Sequence, residues 1–200
     1  MSGILLAVWL GASLAAPTVR ARAESANPLQ IEVEVVGLVA APESEVRAVL
    51  LDLEGFGRWF PATAEWRVLG RSADGVVRVY GRQALPWPVS DRDYVVEYRA
   101  GEADGGFTLV AVALDTDEPP APRGVVRVAR MRTEWRIRPG SGGTEVSYRY
   151  EGDVGGRIPD WAARAGWRSR TPIVIDRLRE ELSRRRGAAE SVDPRAVHGE

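Results

Sequence analysis

Six β-like runs separated by short turn sequences constrain the fold of this chain more than any other feature. The runs cover residues 65–70, 76–85, 92–99, 106–115, 124–138 and 144–151. The breaks between them carry glycine, proline or aspartate, as in Ala73-Asp74-Gly75. Parallel neighbours would need long crossover connections, so these short turns predict an antiparallel meander.

Helical spacing appears on both sides of this meander. After a strand over residues 30–36, the apolar positions Val46, Val49 and Leu50 predict a helix over residues 42–53. A second, longer helix is predicted over residues 158–186, with a kink at Pro172 and a stop at Gly187. The order predicts an α+β fold in which a curved antiparallel sheet of about seven strands wraps around a long C-terminal helix.

Both ends of the chain differ from the segment between them. Residues 4–16 are apolar or small, too few to cross a bilayer as a helix, and Ala21-Arg22-Ala23 follows them. We expect a signal peptide over residues 1–23, cleaved after Ala23, and export to the periplasm or cell envelope. An uncleaved anchor and a misplaced start codon stay open as alternatives. Residues 187–200 are polar and are expected to form a disordered tail.

The composition excludes several kinds of chemistry. There is no cysteine, His198 is the one histidine, and all 27 basic residues are arginine. Thiol nucleophiles, Ser-His-Asp triads and lysine Schiff bases are therefore excluded, and we expect no catalytic residue, metal or cofactor. A net charge of −1 gives no support for nucleic acid as a partner.

Alternation along the strands gives one face an unusual number of aromatic residues with polar tips. In the run 124–138, Met131 and Trp135 share a face opposite Arg132 and Glu134. Tyrosines occupy corresponding positions in two other runs: Tyr94, Tyr98, Tyr148 and Tyr150. These side chains either fill the core or border a small-molecule cavity, and the pattern alone leaves both open.

Three local strings carry a resemblance to a known family. They are LPWPVSDRDYV at residues 85–95, GVVR at 124–127, and DVGGRIPDW at 153–161, in which Val154 replaces the family's usual proline. Together with the order of elements, they resemble the START lipid-transfer domain of the SRPBCC superfamily, whose fold is the helix-grip. The resemblance covers residues 30–184, and we place a START-like domain at residues 28–186.

The resemblance implies a lipid or other hydrophobic molecule held between the sheet and the C-terminal helix. The expected protein is a non-enzymatic, monomeric binder or carrier that makes transient membrane contact. An aromatase/cyclase-type enzyme of the same superfamily is the alternative, and a ligand-free interaction module is a third possibility. The candidate ligand-binding residues are Arg92, Tyr94, Tyr98, Met131, Trp135, Tyr148, Tyr150, Trp161 and Trp167.

Three further expectations concern the rim of this cavity. Arg92 is expected to hold the turn at residues 86–88 by hydrogen bonds, because an unpaired buried charge is costly. Trp87 is expected to pack within its own loop, and a place in a ligand portal is the alternative. The segment 158–171 is expected to open as a lid, with residues 155–156 as its hinge.

Overall fold

The computed structural model describes residues 18–22, 30–87, 89–153, 155–156 and 173–190. Nine strands and three helices lie in this part of the chain. The strands are β1 (Thr18–Arg22), β2 (Gln30–Val39), β3 (Thr63–Arg71), β4 (Val77–Gln83), β5 (Arg92–Ala103), β6 (Gly106–Ala113), β7 (Val126–Arg127), β8 (Met131–Gly140) and β9 (Gly143–Asp153). The helices are α1 (Glu43–Leu51), α2 (Phe56–Trp59) and α3 (Ile173–Glu190).

The strands form one sheet with the order β1-β2-β9-β8-β6-β5-β4-β3, and β7 pairs with β5 beside this path. All pairings along the path are antiparallel, whereas β5 and β7 are parallel. The expected α+β helix-grip fold is confirmed, with an antiparallel open sheet and a C-terminal helix.

The helices pack against the concave face of the sheet. Val46, Val49 and Leu50 of α1 are buried, as their spacing predicts, and α1 contacts β6, β8 and β9. The helix α3 buries Val174, Ile175, Leu178 and Leu182 in the same core. Its N-terminal half is tied to the start of the domain, because Arg179 donates to the Leu38 carbonyl over 2.6 Å. No helix of the described ranges is long and apolar enough to cross a membrane.

The run 124–138 is two strands rather than one. Strand β6 leaves β5 after the pair Val96 and Ala113, so the edge of β5 near Arg92 has no antiparallel neighbour there. The short strand β7 takes this edge in parallel, and the chain then shifts sideways to begin β8 beside β6. Local sequence is β-rich throughout and does not show where the partner changes.

The last helix does not stop at Gly187, as the sequence led us to expect. It continues through Gly187 to Glu190. A glycine within a helix costs about 1 kcal/mol relative to alanine, and Ala188 and Ala189, both strong helix formers, follow it. The expected tail at residues 187–200 therefore overlaps the helix by four positions, and residues 191–200 lie outside the described part.

Candidate functional site

The concave face of the sheet brings together the aromatic residues that alternation assigned to it. Trp135 is buried at the centre of β8, and its ring centroid lies 4.7 Å from that of Tyr148 on the neighbouring strand β9. The four tyrosines keep between 5 and 7% of their surface accessible: Tyr94, Tyr98, Tyr148 and Tyr150. Met131, near the start of β8, is only partly buried against this core.

Burial keeps the four tyrosines in their neutral, hydrogen-bond-donating form. It raises the pKa of Tyr98 and of Tyr148 well above the ordinary value of 10.0, and the pKa of Tyr94 and Tyr150 is also raised. Tyr94 adds to the rise for Tyr98, Tyr148 and Tyr150, so the hydroxyls lie within electrostatic reach of one another. The cluster can therefore act through neutral O–H groups, not through phenolates.

A glycine makes room for one of these rings. Gly81 on β4 is the cross-strand neighbour of Tyr94. A Cβ atom at Gly81 would lie 2.5 Å from Cε2 of Tyr94 and 2.8 Å from its hydroxyl oxygen. The missing side chain allows the Tyr94 ring to lie against β4.

A second group of aromatic residues completes the face, and our sequence analysis did not include it among the site residues. The short helix α2 and its C-terminal neighbour supply Phe56, Trp59 and Phe60, and Trp66 comes from β3. Phe56 lies 5.9 Å from Tyr98, and Trp59 lies 5.8 Å from Trp135, measured between ring centroids. The i, i+3, i+4 spacing at positions 56, 59 and 60 is a helical signal that could have identified this group.

Arg92 lies at one end of the tyrosine face and bonds to main-chain carbonyls. Its Nη1 donates to the Ser90 carbonyl, and its Nη2 donates to the Gly155 carbonyl over 3.0 Å. Burial lowers the pKa of Arg92. The bond to Ser90 fixes the end of the β4–β5 loop close to the expected turn at residues 86–88. The bond to Gly155 links that loop to the segment that leads toward the last helix.

Asp93 and Arg127 form a buried ion pair on the opposite, outer side of β5. Arg127 Nε and Nη2 donate to the two Asp93 carboxylate oxygens over 2.9 and 3.0 Å, and Asp93 is fully buried. Nη2 also donates to the Pro119 carbonyl over 2.7 Å, which fastens the loop 114–125 over the pair. Hydrogen bonding to Asp93 raises the pKa of Arg127. The pair joins two of the strings that carried the family resemblance.

Trp87 does not pack within its loop, contrary to the expectation from the sequence. Its surface is 92% exposed, at the tip of the loop between β4 and β5. The flanking Pro86 is also exposed and restricts the backbone, which holds the indole away from the sheet.

Several candidates fall outside the described residues. Trp161 and Trp167, and the expected lid over residues 158–171 with Pro172, belong to residues 157–172. The expected hinge residues Gly155 and Gly156 are described, and both have φ values of 63°.

The outer surface also carries a groove of about 700 Å³ beside strands β3 to β5. Its lining includes Arg71, Arg78, Glu97, Arg99 and Glu118, so its charge suits an apolar ligand poorly. Among the described residues, no three His, Cys, Asp or Glu side chains lie together as a metal site would require.

The curated relatives that match the chain in sequence include a bacterial and a mammalian protein. An uncharacterized protein of Pseudomonas aeruginosa is 30% identical over 153 residues, which are 76% of this chain and 72% of that protein. The phosphatidylcholine transfer protein of Bos taurus is 32% identical over 118 residues, 56% of this chain and 54% of that protein. The chain thus spans about half the length of the bovine protein.

A solved structure agrees with the sequence relatives. The crystal structure of a STAR-related lipid transfer protein fragment from Xanthomonas axonopodis superposes with a TM-score of 0.72 at 28% identity. The superposition covers 86% of this chain and 97% of that one. The START domain family model matches residues 6–186, nearly the whole length. The chain therefore belongs to the START domain family, and its helix-grip architecture fits the wider SRPBCC superfamily.

Proposed function

We propose that the protein binds a lipid or other hydrophobic molecule between the concave face of the sheet and the C-terminal helix, and carries it without chemical change. The observation that carries this proposal is the concave face itself. It joins apolar strands to four buried tyrosines that keep some accessible surface. Apolar pockets with a few convergent polar groups are the usual form of small-molecule sites. Membership of the START family and the lipid-transfer relatives support the same reading.

Mass spectrometry of organic extracts from the purified protein tests this function. We expect one lipid class at close to one molecule per chain. A stripped protein should take up lipid again from vesicles. If nothing is extracted and nothing is taken up, the interaction-module alternative replaces the carrier.

An aromatase/cyclase-type enzyme is the alternative of a different class. The concave tyrosines are poor general bases at neutral pH, because burial raises the pKa of each one. Incubation with a poly-β-keto substrate distinguishes the two functions. A carrier should leave the rate of cyclisation at its uncatalysed value, whereas faster formation of cyclised product would establish the enzyme.

We also propose that the Trp87 loop makes transient contact with a membrane surface while the ligand is exchanged. The indole has an apolar body and one N–H donor, a combination that favours the bilayer interface. Arg92 connects this loop to Gly155 and so to the approach to the last helix. A membrane surface into which Trp87 inserts would therefore lie near the edge of the concave face.

A vesicle assay with Trp87→Ala tests the contact. We expect binding to neutral vesicles and the rate of lipid transfer to fall about tenfold, equivalent to about 1.4 kcal/mol. The control is Leu69→Ala, which removes another exposed apolar side chain from strand β3 and should change neither value. Equal effects of the two variants would mean that Trp87 has no special role.

We further propose that the protein is exported and acts as a monomer. Support for export comes from the apolar residues 4–16 and the Ala21-Arg22-Ala23 sequence. N-terminal sequencing of protein from the cell envelope should begin at or near Glu24, and a chain beginning at Met1 in the cytosol would exclude export. Light scattering should give the mass of one chain, and a dimer mass would exclude the monomer.

A further inference from the structure

The concave face contains a hydrogen-bond donor without an acceptor. The indole Nε1 of Trp59 is buried and has no partner in the described part of the chain. Its ring is held between two others, with centroids 4.6 Å from Phe56 and 5.8 Å from Trp135. A buried N–H normally has a hydrogen-bond partner, because an unpaired one loses its hydration free energy without compensation.

Three tyrosine hydroxyls lie on the same concave face. Within the described ranges, none of the hydroxyls of Tyr94, Tyr98 and Tyr148 makes a hydrogen bond. Measured between ring centroids, Tyr98 lies 5.9 Å from Phe56, and Tyr148 lies 4.7 Å from Trp135. Those are the same two rings that hold Trp59. Trp59, Tyr98 and Tyr148 therefore surround one aromatic group, and Tyr94 lies within electrostatic reach of the two tyrosines.

Among the described residues, the buried charged side chain on this face is that of Arg92, at one end, and it donates to the Ser90 and Gly155 carbonyls. The ionisable groups that act on Tyr98 and Tyr148 are other tyrosines. The buried carboxylates of the described residues are engaged elsewhere. Asp93 pairs with Arg127 on the outer side of β5, and Glu181 pairs with arginines of its own helix.

Building on the lipid-binding function proposed above, we propose that the ligand is an uncharged lipid whose ester or ketone oxygen accepts hydrogen bonds from Trp59 and the tyrosine hydroxyls. A carbonyl oxygen has two lone pairs and satisfies donors without bringing a charge into the core. A carboxylate or phosphate among these donors would be a buried anion, which is far more costly than a neutral carbonyl, and Arg92 at the end of the face already donates to main-chain carbonyls. The site therefore selects against free fatty acids.

Three probes with the same chain length test the proposal: methyl laurate, laurate and dodecane. The stripped full-length protein is equilibrated with each at pH 8, and retained ligand is quantified by gas chromatography after gel filtration. We expect methyl laurate to bind at least about tenfold more tightly than laurate, because the anion loses its hydration and meets only neutral donors around Trp59. Dodecane should bind several-fold more weakly than the ester.

Variants that remove one donor show whether these groups cause the preference. Trp59→Phe and Tyr98→Phe should each weaken methyl laurate binding about fivefold, the worth of one hydrogen bond, and leave dodecane binding unchanged. The control is Tyr80→Phe. Tyr80 is equally buried, but its hydroxyl interacts with Asp93 rather than with the concave face, so the ester should bind as before. If Trp59→Phe does not fold, Tyr148→Phe replaces it.

The outcomes separate this inference from the function on which it rests. Binding of laurate as tight as that of the ester, or an equal loss of ester and dodecane in the variants, would overturn the neutral-acceptor proposal alone. If none of the three probes binds, the carrier function fails together with it.

Discussion

At the scale of single residues, the ion pair of Asp93 and Arg127 is a contact whose loss should cost the fold much free energy. Both charges are largely withdrawn from water, and the arginine also holds the loop that covers them. Removing one partner of a buried pair leaves the other charge uncompensated, which costs more than the pair contributes as a whole.

Asp93→Ala should therefore lower the free energy of unfolding by about 3–5 kcal/mol, measured by urea denaturation. The control is Arg130→Ala. Arg130 pairs with Asp153 at 3.4 Å on the surface, so its loss should cost less than about 0.5 kcal/mol. A cost below about 1 kcal/mol for Asp93→Ala would show that water reaches the pair.

The buried indole of Trp135 is the second residue whose removal should be costly. Its ring contacts those of Phe56, Trp59 and Tyr148. Trp135→Ala should lower the free energy of unfolding by about 3–5 kcal/mol, because it leaves a cavity that the neighbouring rings can fill only in part. Arg132→Ala on the exposed side of the same strand should have little effect. Similar losses in both variants would contradict the observed register.

These residues differ in how far the sequence could predict them. Trp135 and Tyr148 were assigned correctly to the core face, because alternation in a strand has a period of two. Asp93 alternates with Arg92 and Tyr94 and so lies on the opposite face, which is covered by the loop 114–125, a segment without a periodicity to reveal it. Trp59 lies in a helix of one turn, and so short a segment carries a weak pattern.

At the scale of elements, helix α3 depends on a carboxylate buried at its side. Glu181 accepts hydrogen bonds from Arg184 and Arg185 at 2.7 and 2.8 Å. Arg185 also reaches Asp52, just after α1, so the cluster joins two helices. The bonds from Arg184 lower the pKa of Glu181 from 4.5 to about 2.

This shift predicts a specific loss of stability in acid. A depressed carboxyl pKa adds stability that is fully present above pH 4.5 and disappears as the pH falls toward 2. Because the arginines are partly exposed, we expect about 1–3 kcal/mol from this group. Glu181→Gln should flatten the fall in unfolding free energy over that range. Glu180→Gln, which changes an exposed carboxylate of the same helix, is the matched control; a profile for Glu181→Gln that equals the control's would contradict the assignment.

Elements with their own periodicity were predictable, and elements defined by a neighbour were not. The apolar face of α1 is visible at Val46, Val49 and Leu50, and it is buried as expected. The strand β7 exists because β6 leaves part of the edge of β5 unpaired, which no local pattern records. The same limit applies to Gly187, where the surrounding helix overrides a local stop signal.

At the scale of the whole molecule, the proposed cleavage after Ala23 would change one edge of the sheet. Strand β1 pairs with β2 and lies at the end of the strand order. A chain that begins at Glu24 would lack β1, while β2 would remain paired with β9 through ten residue pairs. The concave aromatic face would stay intact.

A comparison of the full chain with one that begins at Glu24 tests this view. We expect equal lipid uptake and a difference in unfolding free energy of no more than about 2 kcal/mol, because the lost hydrogen bonds are offset by the ordering entropy of a short edge strand. Failure of the shorter chain to take up lipid would show that β1 belongs to the functional domain, and would contradict cleavage at Ala23.

The pairing of β2 with β9 also sets an order of events during synthesis. The Thr144 hydroxyl donates to the Ala41 carbonyl across 103 residues of chain. Strand β2 therefore cannot form its ladder with β9 until β9 has been synthesised. Until then the side chains of Ile31, Val33 and Val35, which belong to the folded core, are exposed to solvent. Such distant pairings make folding slow and leave apolar strands exposed while the chain emerges. The nascent chain therefore closes its sheet only after β9 has been synthesised, and a holding chaperone could bind the exposed strands until then.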